Sequence, residues 1–315
     1  LFWGDNMLDL NLNTKIDNLV FIVRQISKKI GQNSKEYYTL QISRGIKTYD
    51  AKIWSGDEKY ECIIPGDIVK ITGMAKDFKG LIQIHINEIS VLEEVDASLR
   101  NELLPFCSKS ESILRKEIED IISTIEDKYI LELINKVFDV PEVKESFYKK
   151  SAGVEIHHAY VRGLAEHSLE VAKNTISFCK MGYSIKYDIA VTAALLHDVG
   201  KVYELSDFPE NKYTEVGRML GHITIGSNLI QKCINEIKDF PREIELDIIH
   251  AILSHHGNKD MGSPVVPMTL EAIAVHNADK ASAEINAFYL SVQRDNSSSN
   301  WTEYNNIYKR CIKKS

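Results

Sequence analysis

The chain has 315 residues, 44% hydrophobic and 26% charged, with a net charge of −7; this is the composition of a soluble globular protein with length for two domains. No apolar run is long enough to span a bilayer and the N-terminus lacks a signal-peptide pattern, so no membrane partner is expected. The acidic total argues against nucleic acid until it is divided: residues 14–92 hold 12 Lys and Arg against 9 Asp and Glu, a mildly basic module beside an acidic body. Residues 1–6 carry no initiator Met and read as a remnant or the tail of a truncated start.

Residues 14–92 predict five short strands. The segments 19–26, 37–43, 48–54, 68–74 and 81–89 are rich in β-branched and aromatic residues. Arg44-Gly45, Pro65-Gly66-Asp67 and Lys79-Gly80 supply turns. In the second strand Tyr38, Leu40 and Ile42 fall on one face and Tyr37, Thr39 and Gln41 on the other. Five strands in this length suggest an oligonucleotide/oligosaccharide-binding (OB) type β-barrel. Such a barrel binds single strands by stacking bases on aromatics and following phosphates with cations. Tyr37, Trp54 and Lys52 are the leading candidates here, with Phe78, Lys47 and Lys76 beside them. For any single aromatic, packing in the barrel is the simpler explanation.

Residues 93–110 read as a polar linker. From 111 the period becomes helical, with Ile113, Ile118, Ile121, Ile122 and Ile125 in one stripe and Ile130, Leu133, Ile134, Val137 and Phe138 in the next, closed by Pro141. An all-α domain over 111–292 is expected, then a C-terminal tail over 293–315. The five cysteines, Cys62, Cys107, Cys179, Cys233 and Cys311, stand singly with no CxxC. Their odd number excludes a full disulfide framework and suits reduced thiols in a cytoplasm.

The helical region is organised around Ala193-Ala194-Leu195-Leu196-His197-Asp198-Val199-Gly200-Lys201. An apolar helix delivers an imidazole and a carboxylate side by side into an interior. Buried charge of this kind needs compensation, and a divalent ion is the commonest large source of it. Further ligand types follow the same logic: His167 before the pair, then His222, His250, His255, His256 and Asp279, each beside apolar helical sequence. Any one of these histidines alone is better explained as a hydrogen-bonded core residue, and His85 and His276 stay in that class. The mixed imidazole and carboxylate set suits Mn, Fe or Co better than an all-oxygen Ca or Mg shell.

His167, His197-Asp198 with Lys201, His222, His255-His256 and Asp279 resemble the HD-domain metal-dependent phosphohydrolases. With the barrel in front, and with His157-His158-Ala159-Tyr160, Gly163-Leu164-Ala165-Glu166-His167-Ser168, Gly221-His222-Ile223 and Leu253-Ser254-His255-His256-Gly257, the chain resembles the YhaM-type 3′-to-5′ exoribonucleases from about residue 14 to 290. That resemblance implies removal of nucleotides from the 3′ end of single-stranded RNA, and action on single-stranded DNA, with Mn-type cofactors. Arg162 departs from the pattern, standing where a second Gly of a Gly-Gly pair is expected. Gly163 one turn before His167, and Asn258 after Gly257, disfavour a third metal and cyclic-dinucleotide cleavage.

The resulting expectation is a two-ion centre, Mn first with Fe, Co or Mg as alternatives. Asp198 would bridge, with His167, His197 and Asp279 on one ion and His222, His255 and His256 on the other. Lys201 would act catalytically on the phosphate. Its simpler alternative is capping of a helix C-terminus. His157, His158 and Arg162 would touch the terminal nucleotide, and His250 would orient a ligand. Two rivals remain open at this point: an HD-type phosphohydrolase of free nucleotides, and a non-catalytic single-strand binder with structural metals. Oligomeric state is left open.

Overall fold

Alternation decides the N-terminal unit. In the computed structural model, which describes residues 10–314 except 11, 32–33, 209 and 298, five strands are present: β1 (Lys15–Ile30), β2 (Glu36–Arg44), β3 (Lys47–Ile53), β4 (Ile68–Phe78) and β5 (Leu81–Val91). Residues 1–6 lie outside the described residues. The strands close into a barrel in the order β1-β2-β3-β5-β4, antiparallel except for the β3–β5 pair. This is the OB arrangement. Tyr38, Leu40 and Ile42 point inward, as their spacing predicts, and meet Tyr49, Ala51, Ile53, Val69, Ile71 and Ile84 in the core. In β1 Phe21 and Val23 face the barrel core, while Ile22 between them is buried outside that core cluster. Register shifts between Ile16 and Leu19 and between Val23 and Gln25 bend this strand, so that it pairs with both β2 and β4. Lys79 and Gly80, with φ of 57° and 86°, form the two-residue hairpin turn whose positive φ values match strand twist.

The chain divides into two compact units, Leu1–Phe106 with Phe288–Ser315, and Cys107–Ala287. The expected linker and tail boundaries are therefore corrected. Within 93–110 lies helix α1 (Ala97–Leu103), capped by Asp96, which accepts from Leu99 N. It is tied to the barrel by the Arg44–Glu102 ion pair and by Gly45 N donating to Leu103 O. The segment expected as a tail also groups with the barrel. Asn296 donates to Thr48 O, and Phe288 packs edge-on against Tyr308 at 5.2 Å. Both segments look like linkers by composition, but hydrogen bonds to residues distant in sequence hold them.

The second unit is built from α2 (Glu111–Ile122), α3 (Lys128–Asp139), α4 (Pro141–Ser146), α5 (Gly163–Cys179), α6 (Tyr187–Leu196), α7 (Lys201–Glu204), α8 (Glu215–Asn235), α9 (Arg242–Ser254) and most of α10 (Leu270–Arg294). Ser110, Asp127 and Thr214 cap α2, α3 and α8 by accepting from first-turn amides. Pro141, which closes the stripe before it, sits in the first turn of α4, where its missing N–H costs nothing. Residues Ile189 to Leu196 of α6 are all buried, so this helix is the centre of the unit rather than an amphipathic surface element.

Candidate metal centre

Helix α6 stops at Leu196. His197 and Asp198 occupy the turn that follows, closed by Val199 N donating to Leu196 O and Lys201 N to Asp198 O. Both side chains are buried in the centre of the unit. Four other helices converge on them. α5 brings His167, the ends of α9 and of its following turn bring His255 and His256, and α10 brings Asp279. α8 brings His222 only because Gly221 interrupts it at φ 71°, ψ 151°, re-aiming the chain. Gly200 permits the close approach of that segment: a Cβ there would lie 2.1 Å from His222 O.

Asp198 is shared. Its Oδ2 lies 3.4 Å from His167 Nε2 and 3.3 Å from His197 Nε2. Its Oδ1 lies 3.3 Å from His222 Nε2 and 3.7 Å from His255 Nε2. Asp279 Oδ1 joins the first set, 3.0 Å from His167 Nε2 and 3.8 Å from His197 Nε2. His256 joins the second, its ring 5.1 Å from that of His222 and 4.3 Å from that of His255. One nitrogen or oxygen from each of His167, His197 and Asp279, and one from each of His222, His255 and His256, cluster within 4.8 Å.

The outer hydrogen bonds decide which ring nitrogen faces inward. Nδ1–H of His197 donates to Ala194 O, that of His255 to Ile252 O, and that of His256 to Met261 O. His222 Nδ1 donates to the Glu204 carboxylate at 3.0 Å. Ser282 Oγ–H donates to Glu170, so its oxygen accepts from His167 Nδ1–H. A neutral imidazole has one proton, and in all five rings it sits on Nδ1, leaving an Nε2 lone pair aimed at the shared space. Asp198 Oδ1, His222 Nε2 and His255 Nε2 are buried with no hydrogen-bond partner among the described residues. His167 Nε2 and His197 Nε2 face each other at 3.2 Å. Packed acceptors repel unless a proton or a cation lies between them, and the donor set fits divalent ions.

Electrostatics follow from the packing. Burial pushes His167 down to about 4 and holds His255 and His256 below the usual imidazole value. Burial also lowers His197, but the adjacent Asp198 carboxylate outweighs it and the net direction is up. Burial disfavours the charged form of Asp198, yet the Lys201 ammonium and His197 outweigh it and hold the carboxyl well below its usual range. Lys201 is buried and donates to Asp198 Oδ2 at 2.7 Å and to Ala152 O at 2.6 Å. It opens the short α7 rather than capping α6, so the capping alternative fails.

The remaining candidates divide. The rings of His157 and His158 lie 5.3 Å and 4.9 Å from that of His167. Arg162 does not join them: its guanidinium donates to Lys109 O. Its backbone, at φ 69°, takes the left-handed conformation that a glycine would adopt without strain. His250 Nε2 accepts from Met268 N, so it holds a loop rather than a ligand. Two partners were missed by sequence reasoning: Glu204 and Ser282 orient His222 and His167. His276 is hydrogen-bonded as expected, its Nδ1–H donating to His255 O. Ser282 lies three residues after Asp279, one helical turn, which is the only local signal for it.

On the barrel, residues of β2, β3, β4 and β5, with Trp54 just after β3, assemble a second feature. Tyr37 and Trp54 rings are 5.2 Å apart, and Trp54 Nε1–H donates to His85 Nδ1 at 3.3 Å. Lys52 Nζ lies 5.5, 4.9 and 5.0 Å from the rings of Tyr37, Trp54 and Phe78. A cavity of about 280 Å³ adjoins them, lined by polar residues including Gln25, Ser27, Thr39, Gln41 and Asp50. Trp54 is 58% exposed, so it is not barrel core. His85, expected in the core, belongs to this surface because β3 and β5 pair Lys52 with His85.

Comparison with known proteins agrees with both halves. The HD-domain family model matches residues 164–284. The 3′-5′ exoribonuclease YhaM of Shouchella clausii (strain KSM-K16) is 29% identical over 274 residues, covering 87% of this chain and 85% of the relative. That of Bacillus subtilis (strain 168) is 29% identical over 280 residues, covering 87% and 86%, and that of Geobacillus sp. (strain WCH70) is 27% identical, covering 85% and 82%. No described helix is long and apolar enough to cross a membrane. With its closed OB-type barrel and a helical unit that matches the HD-domain model, the chain is similar to the YhaM 3′-5′ exoribonucleases over most of its length.

Proposed function

We propose that this protein is a metal-dependent 3′-to-5′ exoribonuclease that hydrolyses phosphodiester bonds of single-stranded RNA, and of single-stranded DNA where offered. The observation that carries the reading is the division of Asp198: one oxygen toward His167 and His197, the other toward His222 and His255. A structural site is normally a closed set of four ligands. Two imidazole sets around one shared carboxylate suit a pair of ions working on one phosphate.

His167, His197 and Asp279 would hold one ion, His222, His255 and His256 the other, and Asp198 both. Mn is the first choice, with Fe, Co or Mg as alternatives. When bound, such ions supply charge neutralisation at the phosphate and an activated water. The protein's own groups do the rest. Lys201 has three N–H groups and gives two of them to Asp198 and Ala152. The third is available to a non-bridging phosphate oxygen. Burial lowers the pKa of Lys201, but Asp198 outweighs it and the net direction is up. A strongly held ammonium stabilises developing negative charge better than it donates a proton, so the electrostatic role is the one assigned. Glu204, Ser282 and the backbone carbonyls keep each imidazole presenting Nε2. His157 and His158 border this centre and face the terminal nucleotide. On the barrel, Tyr37 and Trp54 offer rings for base stacking and Lys52 a cation for phosphate. The unpaired cysteines fit a reducing cytoplasm.

The decisive experiment is a 5′-labelled single-stranded RNA incubated with Mn. A ladder of products shortened one nucleotide at a time is expected. Hydrolysis of free nucleotides without shortening would move the assignment to a nucleotide phosphohydrolase. Asp198→Asn should lower turnover by about a hundredfold or more with the helical circular dichroism retained; unchanged turnover rejects the shared-carboxylate centre.

A further inference from the structure

His158 is oriented oppositely to the five rings of the metal centre. Its Nε2 meets the Glu170 carboxylate at 3.2 Å. That carboxylate only accepts, so His158 Nε2 carries a proton, and in a neutral ring Nδ1 then has a lone pair. His158 is fully buried, and its Nδ1 has no hydrogen-bond partner among the described residues; nor does the buried Nδ1 of His157 beside it. One ring nitrogen from each of His157, His158 and His167 lies within 4.8 Å of the others. The loop presenting the pair is firmly held. His158 adopts φ 45° while its N–H donates to Asn286 Oδ1, and its carbonyl accepts from Ala152 N and Tyr160 N. Asn286 in turn donates to the Tyr160 hydroxyl, which donates to Glu166. Gly163 is required for this closure, since a Cβ there would meet His158 O at 2.0 Å. Left-handed backbone at a non-glycine residue persists only where surroundings enforce it, commonly at working sites.

Three imidazoles can also hold a metal. His167, however, uses Nδ1 on Ser282 and presents Nε2 to Asp198 and Asp279. It has no third nitrogen for a separate ion. The pair 157–158 therefore borders the metal centre with two adjacent unpartnered ring nitrogens, and what fits them is a ligand with two adjacent hydroxyls, which can both donate and accept. A polynucleotide offers free vicinal hydroxyls at one place only, the ribose at the 3′ end of RNA.

We propose that the Nδ1 atoms of His157 and His158 form hydrogen bonds with the 2′- and 3′-hydroxyls of the 3′-terminal ribose, and so select a free ribonucleotide 3′ end. This rests on the exonuclease assignment and gives it a physical reason for its direction.

The test uses the full chain and four otherwise identical RNA oligonucleotides whose last nucleotide is ribo, 2′-deoxy, 3′-deoxy or 2′,3′-dideoxy. Two quantities are read: removal of the first nucleotide with Mn, and binding by fluorescence anisotropy in EDTA. Each missing hydroxyl should weaken both by about fivefold, the effect of one net hydrogen bond. His157→Ala should reduce the dependence on one hydroxyl to less than about twofold, with the helical signal and metal content unchanged. His158→Asn, which tolerates positive φ and keeps an acceptor oxygen, should retain part of the dependence. Equal binding and removal of all four ends by the wild-type chain overturns the proposal. So does full hydroxyl dependence in His157→Ala. Loss of a metal equivalent in His157→Ala overturns it in favour of a tri-imidazole cation site. Discrimination in binding without any shortening would uphold the hydroxyl site and reject the nuclease assignment, so the two failures are distinguishable.

Discussion

At the level of single residues, the candidate metal centre depends on groups outside the proposed ligand set. Glu204 fixes the His222 tautomer, and Ser282, held by Glu170, fixes that of His167. Removing such a partner frees the ring to turn or to move its proton. Glu204→Gln should therefore weaken metal binding by about 10–100-fold while the ligand set is intact; a metal titration with unchanged affinity would refute the orienting role. The pH dependence has a definite sign. His167 is pushed down to about 4 in the folded protein, against about 6.5 when unfolded. Between those values the unfolded chain binds a proton that the folded chain does not. The metal-free protein must then lose stability as pH falls from about 6.5 to about 4. A protein equally stable to urea at pH 7 and pH 5 would contradict this. His197, Asp198 and Lys201 are adjacent in sequence, and their clustering is legible there. The partners Glu204 and Ser282 are not, because only the fold brings them to their histidines.

At the level of elements, one glycine has an outsized effect. Gly221 takes φ 71° and ψ 151° in the middle of α8, a region that residues with a Cβ avoid. The interruption lets His222 face Asp198. Gly221→Ala should cost about 1–3 kcal/mol of local strain. The helix can escape that strain by straightening, which withdraws His222. The expected result is a lower thermal midpoint and a weaker metal response together; an unaltered Mn titration would show that the break is dispensable. The sequence pattern Gly-His-Ile marks the position but not the break, since glycine inside a helical run is ambiguous until the neighbouring turn is known. β1 teaches the same lesson for strands. Its register shifts between Ile16 and Leu19 and between Val23 and Gln25 let one strand pair with two neighbours, and no two-residue period can register that.

At the level of the whole molecule, the proposed function gives the two units separable tasks. Trp54→Ala combined with Lys52→Ala removes an exposed ring and the cation lying near three rings. Loss of one stacking platform is worth about 1–3 kcal/mol. Long single strands should bind about tenfold more weakly, while metal content stays the same. Unaltered affinity for long RNA would assign the barrel face another role. Metal should stabilise the HD unit through mass action, by about 2.7 kcal/mol at a hundredfold excess over the dissociation constant. Adding Mn should raise the thermal midpoint of that unit and a chelator should reverse it.

What the amino-acid order determined alone was local: strand alternation, the apolar α6, and a series of ligand-type residues each placed at a helix end or on an inner face. Those follow from the periods of strand and helix, which any reader of the chain can apply. Only the tertiary structure decided that Asp198 divides its oxygens between two imidazole sets, that Arg162 turns to Lys109, and that 93–106 and 288–314 group with the barrel. Each of those depends on contacts between residues far apart in sequence, whose free energies are set by burial and by which hydrogen-bond partners remain available once the core has closed.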